Sequence, residues 1–258
     1  MQKRFSQIKS AAKKLQARGV DFEKDHLLFE RARGSKEYKK LVSLIRKCQK
    51  ILIIGNGGLM DVSSHGAADL SRLIPGKSFY CFNNAGFLTS NANDFGFEVA
   101  FTRWLQTTVY GIENPATTLI LGLSCSGNSA NVLNALHWAQ NPVGLENIKT
   151  GGAAVPGGKY HSFLISGIKS TAISKGIPEL ALGTRYFHTT EILVMKLFYD
   201  IVYKLGHHCP DIAGEINRKN GNKQQTGNNL FDVLGSNVFV TSIVKRNNKS
   251  GIIRKRML

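Results

Sequence analysis

Three hydroxyls within six residues, Ser124, Ser126 and Ser129, lie in a stretch suited to bringing them together. Residues 117–123, TTLILGL, are a short apolar, β-prone run of the kind that makes a buried parallel strand. Residues 130–140, ANVLNALHWAQ, put Val132, Leu133 and Leu136 on one helical face. The serines fall between, with Gly127 available for a tight turn. A strand that breaks into Ser and Gly and then opens a helix presents free backbone N–H groups and the positive end of the helix dipole. Three hydroxyl donors added to that corner suit a phosphate group. The plainer alternative is a serine-rich helix cap with no ligand.

The same arrangement occurs earlier. ILIIG at 51–55 reads as a buried strand, Asn56, Gly57 and Gly58 as a second corner, and residues 59–73 as its helix. Strand, glycine corner and helix repeated in this way predict an α/β fold with a central parallel sheet. Ligands of such sheets sit at the carboxyl ends of the strands, where the two corners would meet. GNGG is not GxGxxG, and no acidic residue stands at the distance a dinucleotide ribose requires. Neither corner carries the lysine of a P-loop. No nucleotide cofactor is expected.

Around these units the pattern predicts helices at 2–17 and about 35–49, the second capped by Ser35 and carrying Leu41, Leu44 and Ile45. A short strand is expected at 78–82 and a helix at 98–110 ending near Gly111. Residues 163–168 suit a strand. Residues 188–205 suit a long helix capped by Thr189 or Thr190, burying Ile192, Met195, Leu197, Tyr199 and Val202. Residues 217–229 are polar enough for a linker, and 237–244 suit an edge strand.

The net charge of +17 is concentrated at the ends. The first 50 residues hold 15 Lys/Arg against 5 Asp/Glu, the last 48 hold 9 against 3, and the middle is nearly neutral. This predicts a basic N-terminal segment (1–34), a globular domain (35–210) and a basic C-terminal extension (211–258). Basic ends are solvated faces or attach to an anionic surface such as nucleic acid. Phe5, Phe22, Phe29 and Tyr38 are too sparse for base stacking. No run approaches the ~18 apolar residues of a membrane helix, and the first residues do not form a secretory signal. An organellar transit sequence is compatible with their basic, acid-free character. The four cysteines make no CxxC pair, as in a reducing, cytoplasmic setting.

GNGG at 55–58, NDFGF at 93–97 and SCSGNSANVLNAL at 124–136 resemble the SIS (sugar isomerase) domain family, and more narrowly its phosphoheptose isomerase branch. The similarity covers about residues 35–205. It implies a doubly wound three-layer α/β/α domain that dimerises or tetramerises through N-terminal helices, with active sites shared between subunits. It also implies aldose–ketose isomerisation of a phosphorylated sugar, sedoheptulose 7-phosphate in that branch, through an enediol. Ser124, Ser126 and Ser129 would hold the phosphate, with Cys125 where the family usually has Thr. Asn56, Gly57 and Gly58 would approach the sugar, and Asp94 would bond its hydroxyls. His65 and Asp69 fall where the family has a His and a Glu that can ligate zinc, the Glu also acting as base. An i,i+4 His/Asp pair also suits a metal, an acid–base pair or a surface ion pair.

The departures bear on chemistry. Leu59 replaces the Ser of GNGGS, and Thr190 and Phe198 stand where the family places a zinc-binding Gln and a catalytic His. Glu191 matches the family Glu beside that Gln and is a further candidate metal ligand. His188 could supply the missing acid from one turn upstream, or be only a helix-start residue. The expectation is therefore Asp69 as base, His188 as acid and His65 as metal ligand or oxyanion donor, with zinc as the possible cofactor. The competing expectation is a non-catalytic SIS module that docks on nucleic acid or ribonucleoprotein through its basic ends.

Overall fold

A computed structural model describes residues 21–144, 158–171 and 176–210. The chain divides into two units, Met1–His208 and Cys209–Leu258. The fold described here belongs to the first. The expected helix at 2–17, linker at 217–229 and strand at 237–244 lie outside the described residues.

Five parallel strands form one sheet in the order β2-β1-β3-β4-β5: β1 Lys50–Gly55, β2 Ser78–Cys81, β3 Thr118–Ser124, β4 His161–Ser166 and β5 Glu179–Ala181. Seven α-helices accompany them among the described residues: α1 Phe22–Gly34, α2 Lys36–Lys47, α3 Gly58–Leu73, α4 Ala85–Phe95, α5 Ala100–Thr108, α6 Ala130–Gln140 and α7 Phe187–Lys204. β1 and β3 are neighbours, yet their crossovers leave in opposite directions, α3 towards β2 and α6 towards β4. The carboxyl ends of β1 and β3 are therefore the switch point, where doubly wound sheets offer a cleft to ligands.

Every residue of β3 is buried, and its neighbours β1 and β4 are buried beyond their first residue, because helices cover both faces. Alternate residues serve alternate faces. Leu52, Ile54, Ile120 and Leu164 pack in one cluster with Phe101, Leu105, Val132, Leu133 and Leu136. Gly122 lets α6 close on this face, since a Cβ there would come within 2.7 Å of Val132 Cγ1. On the other face α3 and α7 lie side by side, and Phe198 of α7 rests on Gly66 of α3. α1 packs on α7, where Arg33 pairs with Asp200 at 3.2 Å and Tyr38 of α2 donates to the same carboxylate at 2.7 Å.

Ser35 caps α2 as expected, accepting from the Tyr38 amide at 3.1 Å. Three elements were not expected. α1, FEKDHLLFERARG, has no strong apolar stripe and is held by its Asp21 cap and its packing on α7. α4, AGFLTSNANDF, reads as a polar loop, but Asn84 caps it and Thr89 and Ser90 turn their hydroxyls back onto its own carbonyls. β5 has three residues, too short to show a period. The expected helix at 98–110 is a 3-10 turn, Phe97–Val99, followed by the shorter α5. Thr189 and Thr190 do not cap α7. Its N-cap is Tyr186, and both threonines are buried within the first turn, Thr190 donating back to the Tyr186 carbonyl at 3.0 Å. Ile192 is 40 % exposed, whereas Leu193, Val194, Phe198 and Ile201 join Leu197 and Val202 in the core.

Candidate active site

The two glycine corners meet. Asn56, which follows β1, and Asn131, in the first turn of α6, face each other amide to amide. Each Nδ2 donates to the other's Oδ1 at 2.8 Å. Asn131 Oδ1 also accepts from the Val132 amide at 2.9 Å, which fixes its rotamer. This pair spans the switch point between β1 and β3.

The serines line the second corner. Ser124, the last residue of β3, is buried, and its hydroxyl lies 2.9 Å from that of Ser129. Ser126 is exposed at the turn, and its oxygen accepts from the Asn128 amide at 3.2 Å, leaving its proton to be donated outward. Gly127 supplies the positive φ of +69° that the turn needs. Ser129 holds the N-cap position of α6 but makes no capping bond. Its hydroxyl is directed to Ser124, which counts against the plain helix-cap reading. α3 and α7 also start at this end of the sheet without a side-chain cap; α5 lacks one too, and α1, α2 and α4 are capped by Asp21, Ser35 and Asn84. Positive helix ends left uncapped favour an anion.

A carboxylate closes the cleft from the α7 side. Glu191 lies against Gly58 at the start of α3, where an added Cβ would run into its Oε1. It also acts on Cys125: burial foremost, then the negative charge of Glu191, pushes that thiol above its ordinary value. Cys125 is thus a neutral thiol and not an activated nucleophile. His188 sits half-buried one turn before Glu191, its ring beside those of Tyr186 and Phe187.

His65 and Asp69 lie elsewhere. Asp69 is eleven residues beyond Gly58, about 16 Å along α3. Asp69 Oδ2 accepts from the Tyr199 hydroxyl at 2.6 Å and lies 3.2 Å from His65 Nε2, while Oδ1 pairs with Arg72 at 3.0 Å. Burial alone would raise the Asp69 carboxyl. The bonds from Tyr199 and Arg72, with the charges of Arg72 and His65, outweigh it and hold the group below the usual carboxylate range. Asp94 is exposed near the end of α4 and accepts from Asn93 Nδ2 at 2.9 Å. One chain therefore brings together Asn56, Gly57, Gly58, Ser124, Cys125, Ser126, Ser129 and Glu191, and keeps His65 and Asp69 as a separate network.

The zinc implied by the resemblance does not fit the residues of one chain. Both Asp69 oxygens are already engaged, one of them by a cation. Thr190 is turned onto its own helix, and Phe198 is a buried ring against Gly66. Among the described residues no three His, Cys, Asp or Glu side chains converge as a metal site.

Asn131 and Asn128 are site residues that the serine pattern alone does not point to. The signal for them was an asparagine on each side of Ser129 in SGNSAN. Such residues bond neighbouring backbone and bridge elements.

This fold and cleft define a sugar-isomerase-type α/β domain, and comparison with known proteins narrows it. No family model matches the chain. A phosphoheptose isomerase of Syntrophotalea carbinolica is 31% identical over 171 residues, covering 64% of this chain and 78% of that protein. One of Pelobacter propionicus is 34% identical over 108 residues, 39% of this chain and 53% of that protein. The chain belongs to the phosphoheptose isomerase family. It spans about half the length of several curated relatives that it matches. Among solved structures, a phosphoheptose isomerase of Neisseria gonorrhoeae has the same fold, with a TM-score of 0.54 at 18% identity over 76% of this chain and 98% of that one.

Proposed function

We propose that the chain is a sugar-phosphate aldose–ketose isomerase that acts on sedoheptulose 7-phosphate or a close relative through an enediol. The observation that carries this reading is the Asn56–Asn131 pair, which holds the glycine corner and the serine loop across one cleft. The phosphate is taken by the hydroxyls of Ser124, Ser126 and Ser129 at the start of α6. The carbonyl end of the sugar lies towards Gly57 and Gly58 and the first turn of α3.

The base is assigned to Glu191, the carboxylate at Gly58 and near Cys125. It removes a proton from the carbon beside the carbonyl and, after exchange with solvent, delivers one to the neighbouring carbon. The oxygen that gains charge meets the amide of Asn56 and the start of α3. His188, one helical turn away, relays the hydroxyl proton. Asp69, the base expected from the resemblance, is held as a paired anion and would act only in a site completed by a second chain. No step is routed through zinc.

Glu191→Gln and Asp69→Asn separate these assignments. Glu191→Gln is expected to cut kcat by about 10²–10⁴-fold, the range of a general base, while Asp69→Asn keeps at least a tenth of the activity. The reverse pattern would return the base to Asp69 and require the shared site. Self-association belongs to the proposal: Phe187, 65 % exposed, and Ile192 are large apolar side chains left open near the start of α7 for a second copy to cover.

The second reading, a SIS module without catalysis, draws on Thr190 and Phe198 and on the charged ends. It predicts sugar-phosphate binding with no turnover and salt-dependent binding to nucleic acid.

A further inference from the structure

The serine loop is clamped from its far side. Two backbone bonds join it to the segment after β4, Gly167 N to Ser124 O and Ile168 N to Cys125 O, each at 3.1 Å. The two segments pack closely at Gly127, where a Cβ would lie 2.5 Å from the Ile168 carbonyl. Asn128 completes the join. Its Oδ1 accepts from Ser170 Oγ and from the Thr171 amide, each at 3.2 Å, and its Nδ2 donates to the Ser126 carbonyl at 3.1 Å. The position of Ser126 is thus tied to residues 167–171.

That segment is fixed in turn by one carboxylate. Glu179, the first residue of β5, directs Oε1 to the Ser166 hydroxyl at 2.6 Å and the Ser170 amide at 2.8 Å. Both serines are buried, at 0 % and 8 % exposure. Glu179 holds the segment from both sides, at the last residue of β4 and at the residue that grips Asn128. Ionised acceptors make the stronger hydrogen bonds, and a buried donor left without a partner carries its full desolvation cost.

We propose that Glu179 is a positioning residue for the phosphate grip: it sets Ser170, which sets Asn128, which sets Ser126. This rests on the serine loop being the phosphate site. β5, an edge strand with none of the cleft residues named above, thereby holds the loop in its binding shape. A loop held in its binding shape loses less freedom when the phosphate docks, which favours affinity.

The test follows the full-length protein by calorimetry with sedoheptulose 7-phosphate and with inorganic phosphate, and by steady-state kinetics. Glu179→Ala is expected to weaken both ligands about tenfold and raise KM alike, with kcat within about twofold. Glu179→Gln, whose amide oxygen can accept both bonds, is expected to restore most of the affinity. Ser170→Ala keeps its amide bond to Glu179 and loses only the hydroxyl bond to Asn128. It covers the case of Glu179→Ala failing to fold, and is expected to weaken binding several-fold. The double variant Glu179→Ala/Ser170→Ala should be no weaker than Glu179→Ala alone, since both act on one chain of contacts. Unchanged affinity in Glu179→Ala or in Ser170→Ala, or a fall in kcat with KM unaltered, would overturn the proposal. Ser126→Ala separates the two levels. If it weakens binding while Glu179→Ala and Ser170→Ala do not, only the clamp is wrong. If it also leaves binding unchanged, the phosphate assignment itself is wrong.

Discussion

The Tyr199 hydroxyl and the Arg72 guanidinium both reach Asp69, and together they turn an i,i+4 His/Asp pair into a network that bridges α3 and α7. The pairing sets a sign for pH. Because the folded carboxyl titrates below its ordinary value, the network contributes stability above the unfolded value of about 3.9 and loses it as pH falls through the folded value. Tyr199→Phe removes one of the bonds that lower it. The urea midpoint of the variant should fall below that of the native chain at neutral pH, and the gap should close below about pH 4. A gap unchanged down to pH 2.5 would mean that Tyr199 acts through packing alone. The serine loop was legible at this scale because its three hydroxyls and its glycine fall within six consecutive residues. The partner of Asp69 was not, since Tyr199 lies 130 residues away and nothing local to HGAAD announces it. Glu191 was visible only as a possible ligand. Its place at Gly58 depends on how α3 and α7 pack.

Between elements, two contacts decide whether the cleft exists. The Asn56–Asn131 pair joins the corner after β1 to α6, and Phe198 on Gly66 sets the approach of α7 to α3. Asn131→Ala leaves Asn56 facing a gap and the Val132 amide without its partner. It should cost about 1–3 kcal/mol by urea unfolding and lower kcat/KM, with the sheet unchanged by circular dichroism. Gly66→Ala should lower stability by about 1–3 kcal/mol, because its Cβ would come 2.5 Å from a buried ring. Stability equal to the native chain in either variant would show the contact to be incidental. The strand–corner–helix units could be read because apolar runs bounded by glycine are local signals. α1, α4 and β5 could not. The first two are held by caps and by packing on distant helices, and the third is three residues of edge strand defined by its pairing with β4.

For the whole molecule, charge and activity make separate demands. Residues 211–258 carry 9 of the 34 Lys/Arg against 3 Asp/Glu, and every cleft residue named above precedes them in the sequence. Its removal should leave turnover of the sugar phosphate within about twofold. If an anionic partner is held by this end, removal should also reduce the salt dependence of binding to duplex RNA or DNA. Lost turnover would make the extension part of the catalytic unit, and an unchanged salt slope would move any such contact to other residues. At this scale the sequence shows a nearly neutral middle between two basic ends. Its catalytic state was harder to read, because the family positions at Thr190 and Phe198 are changed while the phosphate loop is kept.

If this cleft interconverts a phosphorylated ketose and aldose through an enediol, the carbon beside the carbonyl takes up a proton from solvent during the reaction. Incubation of the purified full-length chain with sedoheptulose 7-phosphate in deuterium oxide, followed by proton NMR, tests it directly. The native chain is expected to form an aldoheptose 7-phosphate carrying solvent deuterium beside its carbonyl, and Glu191→Gln to suppress it. A substrate that binds but neither isomerises nor exchanges its C1 protons would contradict it and leave a binding module in its place.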